Sequence, residues 1–587
     1  MWPFTSSYPE WSLQSVWTVY DYIVVGGGNA GCVLARRLSE DAKRTVLLVE
    51  RGDARDSCLD VNPLLSIHHS SDQKHSVVIE SAVDPRFGRS FPLVVGTGLG
   101  GATRINGNQY TCGVPAQYNL WSQQGRKGWS YKDIKPYFDK SERWNGPVPR
   151  EYHGLDGPLE VTSFEEFQFG SSRRAAEAAQ KIGFLDILDM HSPLEPSVGC
   201  NKMQFTIDST GRRHSAFRAY LPQEVVDHRP NLHICTNTIA CKIVFSEADD
   251  GVVRAVGVDL QAVRGGPKRA ITARKEIVLS CGALGTPQLL LLSGVGPEDH
   301  LREMGIHIVK SSPGVGQHLQ DHLIIQTMYN CPLPDSLWAM VRRPTTLLRE
   351  LINYYIYGTG WFLCRFAEME VFGMSSLVSN DGLSSPLAKE HLDSFDPENL
   401  PDFAVLPSPI ADYTKHPVDK SKGIWGLHAA LLLPRSSGRL TLHSLDPKAL
   451  PHCDMRYLSA PEDYAALRAA LRVSLAITRE MRASGYPLDA VQVPDVTSNT
   501  ALDEFIEGNV NTMFHYASTC RMAPEDDAQP GVVDDELRVH GIRNLRIADA
   551  SVFPDVPAAH PQALVYAMAE RCADLIRQND TFMASSS

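Results

Sequence analysis

The stretch from Tyr22 to Val49 constrains the fold more than any other part of this 587-residue chain. An apolar, β-branched run leads into the pattern Gly26-x-Gly28-x-x-Gly31, and residues with helical spacing follow. Thr45 to Val49 is then a second apolar run. A strand, a tight turn, a helix and a strand in this order form a βαβ unit. The sequence therefore predicts a parallel sheet near the start of the chain. Further buried strands are predicted at Leu232 to Cys235, Ile239 to Phe245, Val252 to Leu260 and Glu276 to Ser280, and strands of a second sheet at Trp425 to Leu433 and Gly438 to Leu442.

The glycines have separate tasks in a turn that binds a dinucleotide. The first turns the chain, the second lets the backbone approach a pyrophosphate, and the third lets the helix pack closely on the strand. Glu50 ends the second strand, where a carboxylate can hydrogen-bond a ribose diol. An acid at this point disfavours a 2′-phosphate and excludes NADP, whereas NAD and FAD both remain. The predicted dinucleotide contacts in this unit are Gly26, Gly28, Asn29, Ala30, Gly31, Glu50 and Arg51.

The same pattern recurs at Gly96-x-Gly98-x-x-Gly101 in a different context. The residues after it show neither helical periodicity nor a strand that ends in an acid. We therefore predict a glycine-rich loop here and not a second dinucleotide turn.

Composition and charge restrict the partners. A formal charge of −12 and a pI near 5.9 argue against a nucleic-acid surface, because such surfaces cluster Lys and Arg. No stretch approaches the roughly 18 to 20 apolar residues that cross a bilayer, and residues 1–20 lack the pattern of a secretory signal. The twelve cysteines show no paired spacing, which favours reduced thiols. We expect an intracellular, cytoplasmic protein with no nucleic-acid partner and no membrane span.

Five further motifs decide between NAD and FAD by resemblance. Together with the first turn, they resemble the glucose-methanol-choline (GMC) family of FAD oxidoreductases from about Tyr20 to Ile576. The motifs are GTGLGGATRINGNQYTCG (Gly96 to Gly113), GALGTPQLLLLSGVG (Gly282 to Gly296), GVGQHLQDH (Gly314 to His322), FHYASTCRM (Phe514 to Met522) and LRIADASVFPDVPAAHPQALVYAMAE (Leu545 to Glu570). FAD is what this resemblance implies.

Two motifs depart from the family pattern. Where the family usually has a lysine and two serines in the first glycine-rich loop, this chain has Thr97, Ala102 and Thr103. Some relatives bond the flavin covalently through a histidine or cysteine in that loop, which Ala102 and Thr103 cannot do, so we expect non-covalent FAD. Tyr516 and Ser518 stand where the family commonly has proline and glycine.

The resemblance implies further cofactor contacts. The loop from Gly96 would wrap the flavin side, Asp549 and Ala550 would contact the ribityl and phosphate part, and the backbone at Ala240 would touch the adenine. A helix beginning at Gln562 would direct its N-terminal dipole at negative charge on the reduced flavin. The predicted contacts are Gly96, Thr97, Gly101, Ala102, Asn106, Gly107, Asn108, Ala240, Asp549, Ala550, His560, Gln562 and Ala563.

His515 and His560 are the predicted catalytic residues. Oxidation of an alcohol requires loss of the hydroxyl proton and transfer of hydride from the carbinol carbon to flavin N5. A neutral imidazole suits the first task. By resemblance, His515 is the base and His560 orients the substrate oxygen, while the LQDH segment with His322 reads as structural. We predict no metal ligand.

Aromatic residues near the base motif are the predicted pocket walls. Trp361, Phe514 and Tyr516 would favour a small apolar or aromatic alcohol over a sugar, which needs several hydrogen-bonding side chains. For Trp361, and for Phe362 and Phe366 beside it, a place in the core is an equal alternative. The electron acceptor is oxygen or another acceptor, such as a quinone or a protein, and the sequence leaves the oligomeric state open.

The leading hypothesis is an alcohol oxidase or dehydrogenase, with a role in secondary metabolism. Some proteins of this fold instead keep FAD for non-redox cyclisation or lyase chemistry, and others could be non-catalytic binders, but both histidines favour redox chemistry. The predicted class is α/β with α+β elements, a Rossmann-like FAD-binding domain and a second, antiparallel-sheet substrate-binding domain. We expect the FAD-binding domain at 20–325, with excursions into the substrate domain, and the substrate-binding domain at 326–505. Residues 506–580 are expected to return to the FAD domain and to carry the histidines.

Overall fold

Two eight-stranded sheets organise the computed structural model, which describes residues 8–57, 59–70, 72, 74–147, 150–247, 251–363, 365–384, 392–411, 419 and 421–586. The strands are numbered in chain order: β1 Val19–Val25, β2 Val46–Val49, β3 Ser76–Glu80, β4 Pro92–Gly96, β5 Glu142–Trp144, β6 Leu159–Val161, β7 Asp186–Ile187, β8 Gly199–Lys202, β9 Leu232–Cys235, β10 Thr238–Glu247, β11 Val253–Ala262, β12 Arg269–Leu279, β13 Val295–Gly296, β14 Lys310–Ser311, β15 Leu323–Cys331, β16 Met369–Gly373, β17 Phe403–Ser408, β18 Gly423–Leu431, β19 Arg439–Thr441, β20 His452–Asp454, β21 Asp489–Gln492, β22 Asn511–Thr512, β23 Ile542–Arg543 and β24 Leu545–Ile547.

The helices are numbered in the same way: α1 Asn29–Leu38, α2 Pro115–Gln123, α3 Tyr131–Ser141, α4 Gly170–Lys181, α5 Ala216–Tyr220, α6 Gln223–Asp227, α7 Gly282–Leu292, α8 Glu298–Glu303, α9 Trp338–Arg342, α10 Pro344–Tyr357, α11 Glu462–Ala483, α12 Asn499–Asn509 and α13 Gln562–Ser586. Among the described residues, no helix is both long and apolar enough to cross a membrane.

The first sheet contains the predicted βαβ unit. Its order is β10-β11-β12-β1-β2-β9, and β1 runs parallel to both β2 and β12. Apart from Asp21 in β1, β1 and β2 consist of apolar and tyrosine residues and are almost fully buried, as expected of central parallel strands. The strands that the sequence predicted around Leu232, Ile239 and Val252 also belong to this sheet.

The end of the chain returns to the first sheet. β23 pairs in parallel with β11, and β24 pairs in parallel with β12. The long helix α13 then packs against α1 and α3. The segment that carries both predicted catalytic histidines is thus anchored on the sheet that carries the glycine turn.

The second sheet has the order β21-β15-β18-β17-β16-β8-β7, with β22 beside the start of β15. Its neighbouring strands are antiparallel except for β7 and β8, which confirms the predicted second antiparallel sheet. β7 and β8 come from the range predicted for the first domain. The prediction that Gly438 to Leu442 belongs to this sheet is wrong, because β19 pairs with β20 in a separate ribbon. The exact domain boundaries stay a prediction.

The cysteines agree with a reduced core. All ten cysteines within the described residues are free thiols, and nine of them are buried. Burial raises the pKa of these thiols, as at Cys241 and Cys235, and therefore keeps them protonated and unreactive.

Candidate active site

The first glycine turn has a backbone that only glycine can supply. Gly26 has φ of 102°, and its N–H donates to the Val49 carbonyl at 2.8 Å. A Cβ at Gly31 would lie 1.8 Å from the Gly26 carbonyl oxygen, so α1 can approach the turn only because this position lacks a side chain. α1 begins at Asn29 and directs its free N–H groups at the turn.

The second glycine pattern packs directly on the first. The Gly100 N–H donates to the Gly27 carbonyl at 2.8 Å, and a Cβ at Gly101 would lie 2.8 Å from the Gly28 Cα. As expected, no βαβ unit follows Gly96; the chain forms a short 3-10 turn from Gly101 to Arg104. Two glycine loops from distant segments thus build one site with little side-chain bulk.

Glu50 joins these two loops. Its Oε2 accepts from the Gly27 N–H at 2.7 Å, and its Oε1 accepts from the N–H groups of Gly52 and Gly98 at 2.8 and 3.0 Å. Sequence reasoning expected this carboxylate to bind a ribose. The structure adds a second task, because three backbone donors of the cradle depend on it. Arg51, the next predicted contact, is exposed.

Polar atoms beside the loops fit a dinucleotide with a planar ring. Asn108 is 1% exposed, and both polar atoms of its side chain lack a hydrogen-bond partner in the described part of the chain. The Asn29 Oδ1 is equally buried and unpaired. Asn106 donates to the Gln562 Oε1 at 3.0 Å, which links the loop to the start of α13. Ala102 is exposed between two buried residues, and Gly107 is exposed between the half-buried Asn106 and the buried Asn108. Buried amides without protein partners are the groups that a bound FAD would pair.

Asp549 has a structural partner set. Its carboxylate accepts from the N–H groups of Gly282 and Ser551 at 2.9 Å and from the Thr286 hydroxyl at 2.5 Å. Burial raises its pKa, although these bonds oppose the shift. Asp549 therefore caps the 3-10 turn from Ala550 to Val552. Helix α13 begins at Gln562, as predicted.

The other predicted cofactor contacts lie near the same loops. Ala240 is in β10, two residues after Thr238, whose N–H donates to the Glu50 carbonyl at 3.0 Å. Ala550 accepts from the Ser518 N–H at 3.0 Å, and Ala563 is buried in the first turn of α13. Gly96 is the last residue of β4, and Thr97 follows it in the second glycine loop.

The structure brings the two predicted catalytic histidines together. The ring centres of His515 and His560 are 5.3 Å apart, and the two ring planes are nearly perpendicular. His515 lies three residues after the end of β22, and His560 lies two residues before the start of α13. Forty-four residues lie between the two histidines in the sequence. They meet in space because the end of the chain returns to the first sheet.

His515 is held by the LQDH segment, which sequence reasoning read as structural. The His515 Nδ1 is 2.9 Å from the His322 Nδ1, and its backbone N–H donates to the Asp321 Oδ1 at 2.8 Å. The Asp321 Oδ2 accepts from the hydroxyls of Tyr457 and Thr512 at 2.6 and 2.5 Å. His322 therefore belongs to the site. The signal for it in the sequence was the match of the GVGQHLQDH motif to the family.

Burial sets the charge of this group. It raises the pKa of Asp321 to about 7 and lowers that of His322 to about 3. Burial, followed by the neighbouring His322 and His560, lowers the pKa of His515 well below its usual range. Both His515 and His322 are therefore neutral at physiological pH.

Glu370 is a site residue that sequence reasoning missed. It lies in β16, is fully buried, and its Oε2 is 3.3 Å from the His560 Nε2. The His560 N–H donates to the Thr111 Oγ1 at 2.8 Å. The only signal in the sequence was a carboxylate inside an apolar strand, which is costly unless it is paired.

Two residues without glycine's conformational freedom take a left-handed backbone around His515. Ser518, which replaces a glycine of the family pattern, has φ of 70°, and Phe514 has φ of 62°. Both occupy the left-handed region that glycine prefers. Ser518 thus adopts a backbone conformation that glycine would adopt more easily.

The predicted pocket aromatics differ in location. Trp361 packs on Phe169 at 4.9 Å and shares a hydrophobic cluster with Phe362, which corresponds to the core alternative and not to a wall beside His515. Phe514 is 49% exposed next to His515. The Tyr516 side chain is directed toward Asp321 and β4, where burial raises its pKa.

A small cavity of about 30 Å³ lies beside Ala559, the residue before His560, on the side of the second sheet. Apolar side chains dominate its lining, with a few polar groups such as Thr111, Ser197 and Asn201. Its apolar lining residues are Val114, Ile187, Met190, Pro196, Phe372, Pro401, Ala558 and Ala559.

One buried group elsewhere has side chains of metal-binding type. Possible ligand atoms of Glu142, His153 and His191 lie within 4.8 Å of one another. His153, however, is 2.8 Å from Glu142 and 3.4 Å from Asp189 through its two ring nitrogens. Although burial alone would lower it, these carboxylates raise the pKa of His153 to about 9. A protonated imidazole is a poor metal ligand, so we assign this group to stability.

The fold and the site together define a dinucleotide-dependent oxidoreductase. Models of the N- and C-terminal domains of GMC oxidoreductases match residues 20–324 and 434–569. The chain therefore belongs to the GMC oxidoreductase family, a class of FAD enzymes acting on CH–OH donors. The predicted family, cofactor and enzyme class are confirmed.

Relatives match the chain over nearly its whole length. An oxygen-dependent choline dehydrogenase of Photobacterium profundum is 31% identical over 577 residues, 97% of this chain and 95% of the relative. That of Burkholderia multivorans is 34% identical over 567 residues, 95% and 93% of the two chains. The solved structure of an FAD-dependent oxidoreductase from Chaetomium thermophilum is 25% identical with a TM-score of 0.83, covering 96% of this chain and 100% of the other.

Proposed function

We propose that this protein oxidises a primary or secondary alcohol, with His515 as the base and His560 as the group that orients the substrate oxygen. The observation that carries this proposal is the 5.3 Å approach of the two imidazoles beside the paired glycine loops. Bound FAD would supply the acceptor that takes hydride from the carbinol carbon. Gly26, Gly28, Glu50, Asn108 and Gln562 are among the residues that would hold it.

His322 supports the base role by selecting a tautomer of His515. Because two neutral rings face each other through their Nδ1 atoms, one must donate and the other must accept. We infer that the His322 Nδ1 is the acceptor and that its proton is on Nε2, which is buried without a hydrogen-bond partner among the described residues, near the Leu432 and Pro557 carbonyls. The His515 Nδ1–H then donates, and its Nε2 lone pair is free to take the hydroxyl proton.

The carboxylate of Glu370 orients His560. Its Oε2 lies 3.3 Å from Nε2 and can accept the proton of that atom, and a second proton on Nδ1, balanced by the Glu370 carboxylate, would let Nδ1 donate to the substrate oxygen. A fixed partner lowers the entropic cost of bringing the alcohol into a reactive orientation.

We expect Glu370→Gln to slow flavin reduction by about ten- to a hundredfold while FAD stays bound, because a loosened ring misplaces the substrate. Rapid mixing with alcohol in the absence of oxygen measures this rate. Glu368→Gln is the matched control, since Glu368 is also buried nearby but accepts from the N–H groups of Gln168 and Phe169, away from the histidines. Equal rates in both variants would exclude the positioning role.

The low pKa of His515 predicts a distinctive pH profile. The base works only when unprotonated, so kcat/KM falls as pH drops through its pKa in the free enzyme. Because burial and the two neighbouring histidines lower that pKa well below 6.5, we expect kcat/KM to stay level down to pH 6.5 and to fall only under more acidic conditions. A profile that already falls by half at pH 6.5 would show an ordinary imidazole.

A small apolar or aromatic alcohol is the substrate class that we propose. The small cavity that Ala559 lines, one residue before His560, supports it, because apolar side chains form most of its lining. A second candidate is a cationic alcohol like choline. The names of the relatives favour it, and so does Glu370, whose Oε1 is buried without a hydrogen-bond partner in the described part of the chain.

A matched pair of substrates separates these candidates. Choline and 3,3-dimethylbutan-1-ol have nearly the same shape, but only choline carries a charge. Our proposal predicts that the neutral alcohol, and benzyl alcohol with it, has the higher kcat/KM. A preference for choline that Glu370→Gln abolishes would establish the cationic alternative, and no turnover of any alcohol would contradict the proposed function.

We further propose that FAD is bound without a covalent bond, because Ala102 and Thr103 offer no nucleophile of the histidine or cysteine type. Electrons leave to oxygen or to another acceptor. A cytoplasmic location and a role in secondary metabolism stay predictions from the sequence.

A further inference from the structure

Helix α10 lies on the surface with its inner side packed and its outer side bare. Pro344 begins the helix and Gly358, with φ of 64°, ends it. Inside, Tyr354 and Leu351 pack on a cluster that contains Phe362. The buried Glu350 accepts from the Trp361 N–H at 3.0 Å, which ties the helix to that cluster.

The outer side of α10 is apolar where a surface helix is normally polar. Leu348, Ile352, Tyr355 and Ile356 are 60%, 40%, 67% and 69% exposed. Their spacing of i, i+4, i+7 and i+8 sets them on one helical face, away from Glu350. Val341, just before the helix, is also exposed and extends the patch. A helix that is apolar on both sides requires a cover on its outer face.

Arginines outnumber acids in the segment that carries this face, and one of them is already paired, because the Arg349 Nε donates to the Glu350 Oε1 at 2.9 Å. Residues 338–361, all of which the structure describes, contain Arg342, Arg343, Arg349 and a single acid, Glu350. Glu350 is buried, whereas Arg343 and Arg349 are exposed. Arg342 stacks over the Trp338 ring at 5.3 Å, which fixes it beside the patch. In a protein with a formal charge of −12, this cationic rim favours an anionic surface.

The size of the helix indicates how it would meet a bilayer. Its 14 residues span about 21 Å, less than the hydrocarbon thickness. It can therefore lie along the interface but cannot cross it. An apolar face with aromatic residues and an arginine rim is the pattern of helices that lie in the headgroup region.

We propose that the outer face of α10 docks this protein on a membrane surface that contains anionic lipid. Leu348, Ile352, Tyr355 and Ile356 enter the headgroup boundary, and Arg343 and Arg349 contact lipid phosphates. The contact is peripheral and reversible, because one short helix supplies it. It is independent of the alcohol chemistry proposed above.

The test is flotation of the FAD-loaded protein with lipid vesicles. We expect binding to vesicles of phosphatidylcholine with about one third phosphatidylglycerol, and weaker binding to phosphatidylcholine alone or at high salt. The triple variant Leu348→Glu, Ile352→Glu, Ile356→Glu should lower the bound fraction about tenfold or more. Its FAD content and its flavin reduction by a soluble alcohol should match those of the wild type.

The control carries the same change of charge on leucines elsewhere on the surface. Leu188, Leu194 and Leu445 are 65%, 73% and 57% exposed, so Leu188→Glu, Leu194→Glu, Leu445→Glu should retain vesicle binding apart from the effect of net charge. Absence of wild-type binding, or equal loss in both triple variants, would overturn the proposal. So would a wild-type dimer that only the α10 variant dissociates, because a second copy would then be the cover.

Discussion

Replacing His515 with alanine is expected to slow flavin reduction by an alcohol about 10²-fold or more, the scale of general base catalysis. The structure gives the reason. His515 is a neutral imidazole, fixed by Asp321 and His322, and its ring faces His560. FAD should remain bound, since the glycine loops and Glu50 are elsewhere. Rapid mixing under anaerobic conditions measures the rate, and the flavin absorbance of the purified protein measures the cofactor.

The control for this variant is His452→Ala. His452 is an exposed histidine in β20, outside the site. The flavin of the His452→Ala variant should be reduced at the wild-type rate. Unchanged reduction in His515→Ala would remove His515 from the mechanism.

Replacing Gly31 with alanine is expected to abolish cofactor retention and to lower the free energy of unfolding by about 3 kcal/mol or more. The added Cβ would lie 1.8 Å from the Gly26 carbonyl oxygen. A Cβ has no rotamer freedom and the carbonyl oxygen belongs to the backbone. No side-chain rotation can therefore relieve the clash, and α1 must move away from the turn. The ratio of flavin to protein absorbance and thermal unfolding check this prediction.

Gly508→Ala is the matched control, because Gly508 also lies within a helix but nothing stands within 4 Å of its added Cβ. Alanine has the higher helix propensity, so this variant should be neutral or slightly more stable. Normal flavin content in Gly31→Ala would show that the close approach of α1 to the turn is not needed.

The sequence predicted the parts of the fold that depend on local pattern. The βαβ unit around Gly26 was predictable because apolar runs, glycine spacing and helical periodicity agree there. The antiparallel second sheet was predictable in class. Its membership was not, since β19 reads as a strand for the second sheet but pairs with β20. Strand pairing between distant segments depends on tertiary contacts that a local pattern does not contain.

The site was predictable where motifs carried it and not where chain folding did. His515 and His560 stand in motifs, and the structure brings them together. Glu370 stands in none, and it becomes a partner of His560 only because β16 crosses the second sheet beside the start of α13. The three donors on Glu50 were missed for a similar reason, because Gly98 belongs to a loop whose contact with the first turn is long-range. Trp361 is the opposite case, because it was named from the sequence as a pocket residue but lies in a hydrophobic cluster. The sequence alone cannot assign such an aromatic side chain to the pocket or to the core.

The most direct test of the central claim, that His515 and His560 serve the oxidation of an alcohol, is anaerobic titration of the purified FAD-loaded protein with its best alcohol. Our account predicts that the absorbance of oxidised flavin disappears and that one carbonyl product forms for each flavin reduced. Product formation while the flavin stays oxidised would contradict it and would assign the protein to non-redox chemistry on the same fold.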